Sequence, residues 1–106
     1  MEQSTSDTVV LPLSGRVDIA ALAALKEELT QAIAGGRTQL LLTMAAVSFI
    51  DSSGLGLLVG LQKELRGRGG GLALCEVPPQ ARMALRLTRL EWVLPCYDSV
   101  EEALVA

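Results

Sequence analysis

The sequence predicts an α/β fold, a single small domain with a largely parallel sheet, and three observations carry that reading. Short apolar runs of strand type alternate with longer segments of helical period from one end of the chain to the other. Glycine and proline punctuate most of the junctions between them. Half of the 106 residues are hydrophobic while only Trp92, Tyr97 and Phe49 are aromatic, which describes one aliphatic core.

The elements follow in order. Residues 1–7 are polar and read as a frayed start or a short first strand. "TVVLPLSG" reads as a strand over 8–13, and Pro12, which has no N–H, demotes it to an edge or a bulged position. In "AALAALKEELTQAIAGG" Leu22, Leu25, Leu29 and Ile33 recur at helical spacing, Lys26, Glu27 and Glu28 are polar, and Gly35-Gly36 ends the helix. "TQLLLTMAAVSFI" contains a buried strand at about 39–44, and a helix follows at about 53–66, closed by "GRGGG". "LALCEV" is a third strand, after which Pro78-Pro79 opens a helix at about 79–89. "WVLPCY" reads as a short last strand, and "SVEE", at 99–102, is a capping box that opens a terminal helix. The order strand, helix, repeated four times, is what a parallel sheet with crossover helices requires.

Composition narrows the function classes. Nine basic residues against twelve acidic ones leave a net charge of −3, which argues against nucleic acid, whose binding wants a clustered basic surface with stacking rings. "MEQSTSDTVV" lacks the basic start and apolar run of a signal peptide, and no apolar stretch reaches the ~20 residues that span a bilayer. The chain reads as soluble and cytoplasmic. Cys75 and Cys96 sit in apolar, strand-like contexts and read as buried thiols rather than a disulfide. Two cysteines without a histidine make a poor zinc site.

Chemistry concentrates in "SFIDSSGLGLL", residues 48–58, where an acid and two hydroxyls stand between an apolar run and a glycine-spaced helix. A serine nucleophile needs a base within hydrogen-bond reach, and the chain has no histidine. Asp51 alone is a weak base, and Ile50 stands where a G-x-S-x-G elbow needs its first glycine. Gly54, Gly56 and Gly60 miss the G-x-G-x-x-G spacing of a dinucleotide loop, and no G-K-[ST] occurs. No calcium-loop spacing exists either. Neither a catalytic residue, a cofactor site nor a metal site is expected, so the hydroxyl is read as a substrate.

Two helices carry further pattern. Ser52 is expected at or beside a helix N-cap, a common and purely structural role for serine. That role explains one serine and not its surroundings. Leu55, Leu57, Leu58, Val59, Leu61 and Leu65 spread over about 200° of the helix at ~100° per residue, whereas a surface helix needs a stripe little wider than ~100°. Gly56 and Gly60 share the remaining side with Lys63. A docking surface and complete cover by sheet and neighbouring helices both fit that pattern. On the next helix Arg82, Arg86 and Arg89 share one face, opposite Ala81, Ala84 and Leu85, and read first as a solvated stripe.

These residues carry a family likeness. "VSFIDSSGLGLLVGLQKELRGRGGGLAL" resembles the phosphorylation segment of the anti-sigma factor antagonists, which are single STAS domains. "LSGRVDIAALAALKEELTQAI" is similar to that family's strand, G-x-[LIV]-D turn and first helix, and "VPPQARMALRLTRLEWVLPCYDSVEEAL" to its closing half. With the element order, the resemblance implies a STAS-like domain over 1–106, a four- or five-stranded mixed sheet and about four helices packed mainly on one face. It further implies that Ser52, directly after the motif aspartate, is phosphorylated by an anti-sigma factor that is also a serine kinase using ATP and magnesium. The unphosphorylated form would bind that kinase and release the sigma factor, and a PP2C-type phosphatase would restore it. Asp18 and Asp51 match the family's acidic positions, and Ser53, Gly54, Leu55, Gly56, Gly60 and Lys63 complete the expected partner surface.

Three positions depart from the family pattern. Only about seven residues precede the strand at 8–13, where the family usually has another strand; Thr43 or Met44 stands where an acid is frequent; and Arg16 occupies a turn position that is often acidic. Two other classes stay open: a STAS scaffold subunit of a lipid-transport ABC complex, with no phosphorylation, and a STAS subunit of a stress-signalling assembly. A neighbouring gene for a permease would favour the first of these, and one for a kinase with a histidine-kinase-type ATPase domain would favour the antagonist.

Overall fold

The structure is a computed structural model and describes residues 8–106. Four strands and four helices alternate: β1 (Thr8–Val17), α1 (Leu22–Ala32), β2 (Gln39–Ile50), α2 (Ser52–Gly67), β3 (Gly71–Cys75), α3 (Pro79–Leu87), β4 (Cys96–Tyr97) and α4 (Val100–Leu104). The strands lie in the order β1-β2-β3-β4, every pair parallel. The α/β class and the four-stranded sheet are as expected. The additional strand implied by the resemblance, and with it any antiparallel pairing of a mixed sheet, falls on residues outside the described ones.

Alternation along the strands sorts the side chains into two faces. Leu40, Leu42 and Met44 of β2 and Leu72 and Leu74 of β3 join one aliphatic core with Leu25 and Leu29 of α1, Leu55, Leu58, Leu61 and Leu65 of α2, and Ala81 and Leu85 of α3. Leu41 and Cys75, on the alternate positions, are buried outside that cluster. There α4 meets β2, β3 and β4. Three helices thus share one face and the short fourth takes the other. Gln62 is the one buried polar side chain among the described residues. Its Oε1 accepts the Leu72 N–H at 2.7 Å, and its Nε2 donates to the Leu72 and Val93 carbonyls at 2.9 and 2.7 Å. A buried amide with both ends satisfied costs little and ties α2 to the start of β3.

Several boundaries differ from the sequence expectation, each for an identifiable reason. β1 continues past residue 13 to Val17 and β2 past residue 44 to Ile50, because the two strands pair with each other beyond the point where β3 stops. Register shifts between Pro12 and Ser14 and between Gly15 and Arg16 mark this two-stranded extension as bulged, as the proline foretold. β3 ends at Cys75, since Glu76 takes a left-handed φ of 58°, and α3 ends at Leu87, ahead of Arg89 at φ 61°. Residues Leu90–Trp92 form a 3-10 turn instead of starting β4. The serine half of the expected capping box is present, the Ser99 hydroxyl accepting the Glu102 N–H at 3.0 Å. The Glu102 carboxylate reaches one residue further back and accepts the Asp98 N–H at 2.9 Å instead of that of Ser99.

Both cysteines are free, Cys75 buried and Cys96 half-buried. Cys96 pairs with Leu74 and Tyr97 with Cys75, so the two thiols are one residue out of step and alternate to opposite faces. Burial pushes both thiols above their ordinary value of 9.0. No helix among the described residues is long and apolar enough to cross a membrane.

Candidate functional site

The site stands where β1 and β2 end together. Val17 pairs with Ile50, so Asp18 and Asp51 follow side by side at the carboxyl ends of two parallel strands. The Asp51 N–H continues the pairing by donating to the Val17 carbonyl at 3.3 Å. Crevices at this end of parallel strands are the usual binding positions of α/β sheets.

Asp51 is the N-cap of α2. Its backbone is extended, its Oδ1 accepts the Gly54 N–H at 3.0 Å, and its carbonyl accepts the Leu55 N–H at 3.0 Å. Of the two places expected for Ser52, at or beside the cap, it takes the second: it is the first helical residue, directly after the cap. The consequence is chemical: with Asp51 satisfying the helix end, the Ser52 side chain has no structural task. It is exposed, and its hydroxyl makes no hydrogen bond among the described residues. Ser53 is half-buried, while Gly54 and Leu55 are buried. Leu55, 3% exposed, serves the core and holds α2 in place.

Gly54 is where the helix comes closest to the strands. A Cβ built there would overlap the Val17 carbonyl oxygen and lie 2.8 Å from Val17 Cγ1 and 2.9 Å from Ile50 Cγ1. Only a glycine lets the first turn of α2 sit this close to the ends of β1 and β2. Nothing comparable surrounds Gly56 and Gly60, whose added Cβ atoms would meet no heavy atom within 4 Å. These two instead line a groove of about 300 Å³ facing Lys26 and Thr30 of α1, with Leu57 and Glu64 on its walls. Lys63, expected on the same stripe, lines a separate depression with Arg66 and Trp92. Of the wide apolar arc, Leu57 and Val59 are only half-buried against the core.

Two residues that sequence reasoning had not placed in the site support it. The Gln80 side chain clamps the backbone of Ile50: Oε1 accepts its N–H at 3.0 Å and Nε2 donates to its carbonyl at 3.0 Å. This amide stands in for the neighbouring strand that β2 lacks at its far end, because β3 pairs only as far as Thr43. Arg16, known from the sequence only as a departure, donates from Nε to Asp18 Oδ2 at 2.9 Å and lies 4.5 Å from the centre of the Phe49 ring. That hydrogen bond, with the guanidinium charge, holds the Asp18 carboxyl below its ordinary value of 3.8.

Among the described residues no three acids, cysteines or histidines gather as a metal site. What the arrangement offers is two hydroxyls on the first turn of a helix, Ser52 exposed and Ser53 half-buried, neither with a hydrogen bond among the described residues. They stand at the positive end of the helix dipole and next to the strand ends that carry Asp18 and Asp51.

The comparisons with known proteins agree with this geometry. The sequence matches the STAS domain family over residues 1–103. It is similar to an anti-sigma F factor antagonist of Paenibacillus polymyxa, 30% identical over 97 residues that cover 91% of this chain and 83% of that protein. The structure is similar to that of the anti-sigma factor antagonist SpoIIAA in its unphosphorylated form, with a TM-score of 0.78 and 31% identity over 97% of this chain and 90% of that one. It is also similar to the Bacillus cell fate determinant SpoIIAA in the phosphorylated form, with a TM-score of 0.71 and 30% identity over 98% of this chain and 94% of that one. With strand–helix alternation, the glycine contact at Gly54 and a family match across nearly all of its residues, the chain belongs to the STAS domain family.

Proposed function

We propose that this chain is a phosphorylation-switched antagonist of an anti-sigma factor, with Ser52 as the phosphoacceptor. One observation carries the reading: Ser52 is an exposed hydroxyl at the first position of α2, released from capping by Asp51. Its neighbour Ser53 is half-buried and less open to an enzyme. The names of the relatives support the role, and the SpoIIAA fold is known in phosphorylated and unphosphorylated forms.

In this reading the unphosphorylated chain binds an anti-sigma factor that is also a serine kinase, and the sigma factor is released. The partner supplies the missing base together with ATP and magnesium. The Ser52 Oγ attacks the γ-phosphorus, the bond to the β-phosphate oxygen breaks, ADP leaves, and the kinase takes the hydroxyl proton. A PP2C-type phosphatase hydrolyses the ester to serine and inorganic phosphate. The setting is the cytoplasm, where sigma factors act. Asp18, Asp51, Ser53 and the Gly56–Gly60 groove form the surface around the acceptor.

The magnitudes favour a switch in binding over a switch in folding. A phosphate adds about −1.5 to −2 charges. The helix N-terminus favours that charge by roughly 0.3–1 kcal/mol. Asp51 opposes it, and Asp18 opposes it less, being paired with Arg16. These contributions nearly cancel within the molecule. At an interface shaped for a neutral hydroxyl, an unpaired charge costs several kcal/mol, so the interface effect dominates. The test is to incubate the protein with its cognate kinase and ATP and to map the modified peptide. Phosphate on Ser52, abolished in Ser52→Ala, is expected; stoichiometric phosphate on Ser53 in that variant would overturn the assignment.

A further inference from the structure

Trp92, the chain's single tryptophan, is 82% exposed. The apolar residues around it are turned inward: Leu90 and Val93 pack against the core and Leu94 is fully buried. The 3-10 turn Leu90–Trp92, entered through Arg89 at φ 61°, therefore turns the largest side chain of the protein outward. An aromatic ring left in water forgoes the burial that usually dominates such a residue's energetics, and nothing within the fold compensates for it.

The surroundings of the ring are cationic. Trp92 is the wall shared by two depressions, one of about 400 Å³ lined also by Lys63 and Arg66, the other of about 260 Å³ containing Arg82 and Glu91. Lys63, Arg66 and Arg82 form no ion pair among the described residues, on a chain whose net charge is −3. This concentration of unpaired positive charge around one ring runs against the charge of the molecule. It lies away from the acceptor: Lys63 is eleven positions along α2 from Ser52, about 16 Å by the helical rise.

We infer that this edge, centred on Trp92 and flanked by Lys63, Arg66 and Arg82, is a second docking surface, and that it takes an acidic segment of a partner protein. Charge selects the class of occupant. Isolated carboxylates can reach Lys63 and Arg66 on one side of the ring and Arg82 on the other, while an apolar side chain between them covers the indole. Glu91, in the second depression, interrupts the cationic surface and would repel the continuous phosphates of a nucleic acid or the headgroups of an anionic bilayer. A discrete peptide avoids that repulsion. The surface is independent of the Ser52 reading, and its occupant can be bound together with a partner at the strand ends.

Because Trp92 is the single tryptophan, its emission reports directly on this site. The probe is a short synthetic peptide with a central leucine, single glutamates spaced on either side of it and no aromatic residue. Titration is expected to shift the emission to shorter wavelength and saturate. In Lys63→Glu/Arg66→Glu the binding is expected to weaken about tenfold or more, and in wild type to weaken with salt. Calorimetry with Trp92→Ala, an exposed position, is expected to lose the binding heat. No shift with the peptide would overturn the proposal. So would a shift that survives the charge reversal, or one given more strongly by single-stranded oligothymidylate or phosphatidylglycerol vesicles.

Discussion

Three glycines of α2 offer a controlled comparison, because the same substitution is expected to have opposite effects within two turns of helix. In a helix interior alanine is preferred to glycine by about 1 kcal/mol. At Gly56 and Gly60 nothing opposes that gain, since a Cβ would meet no heavy atom within 4 Å. At Gly54 the new methyl would overlap the Val17 carbonyl oxygen and press on Val17 Cγ1 and Ile50 Cγ1. The carbonyl cannot easily move, because it accepts the Asp51 N–H and lies in the last β1–β2 pair. Overpacking of this kind costs typically ~1–3 kcal/mol, and backbone in place of a flexible side chain puts Gly54→Ala at the upper end. Gly54→Ala is therefore expected to lose about 1–2 kcal/mol net, while Gly56→Ala and Gly60→Ala each gain up to about 1 kcal/mol. In a domain of this size that separates the melting temperatures of Gly54→Ala and Gly56→Ala by roughly 10 °C. Urea titration followed by circular dichroism gives the free energies and a thermal scan the midpoints. Equal stability of Gly54→Ala and Gly56→Ala would refute the reasoning, and with it the close approach of α2 to the strand ends.

Two further outcomes follow from the groups around the ends of β1 and β2. Gln80→Leu removes both hydrogen bonds to Ile50 and leaves its N–H and carbonyl without a partner, at a cost of about 1–3 kcal/mol, less where water reaches them. Hydrogen exchange at the Ile50 amide should accelerate by more than at the amides of β3, and uniform acceleration would assign Gln80 to global stability alone. Asp18 sets a pH dependence: Arg16 depresses its folded pKa, so its stabilising contribution is complete above its ordinary value of 3.8 and is lost as pH falls from there through the folded value. Arg16→Gln is expected to return the Asp18 carboxyl toward 3.8 in an NMR titration; an unchanged midpoint would remove Arg16 as the cause.

The order of elements and the helices were legible in the sequence because their signals are local. Leucines at helical spacing, the Gly35-Gly36 stop and the "SVEE" box each act within a few residues. The extents of β1 and β2 were not legible. "MAAVSF" has no strong strand signature of its own and is held by pairing with β1, thirty-odd residues earlier in the chain. The start of α2 at the two serines was legible, with Ser52 at or beside the cap, but which residue caps was not: serine is as good an N-cap as aspartate, and the extended backbone of Asp51 and its bond from the Gly54 N–H decide it. Leu55 and Lys63 were grouped with Ser52 by their place on one helix, and the packing separates them, Leu55 into the core and Lys63 toward Trp92. Gln80 carried no signal, since its partner Ile50 is thirty residues away and any polar residue fits the first turn of a helix after Pro79.

The central claim is that a phosphate on Ser52 changes what the domain binds and not whether it folds. Calorimetric titration of the anti-sigma partner into unphosphorylated and Ser52-phosphorylated protein, with a thermal melt of each form, tests it most directly. Phosphorylation is expected to weaken binding by about a hundredfold or more while the melting temperature moves by only a few degrees. Ser52→Ala should bind whether or not kinase and ATP have been present, and Ser52→Asp should bind poorly. Equal affinity of the two forms would contradict the switch, and a phosphorylated form that no longer melts cooperatively would place it in folding instead.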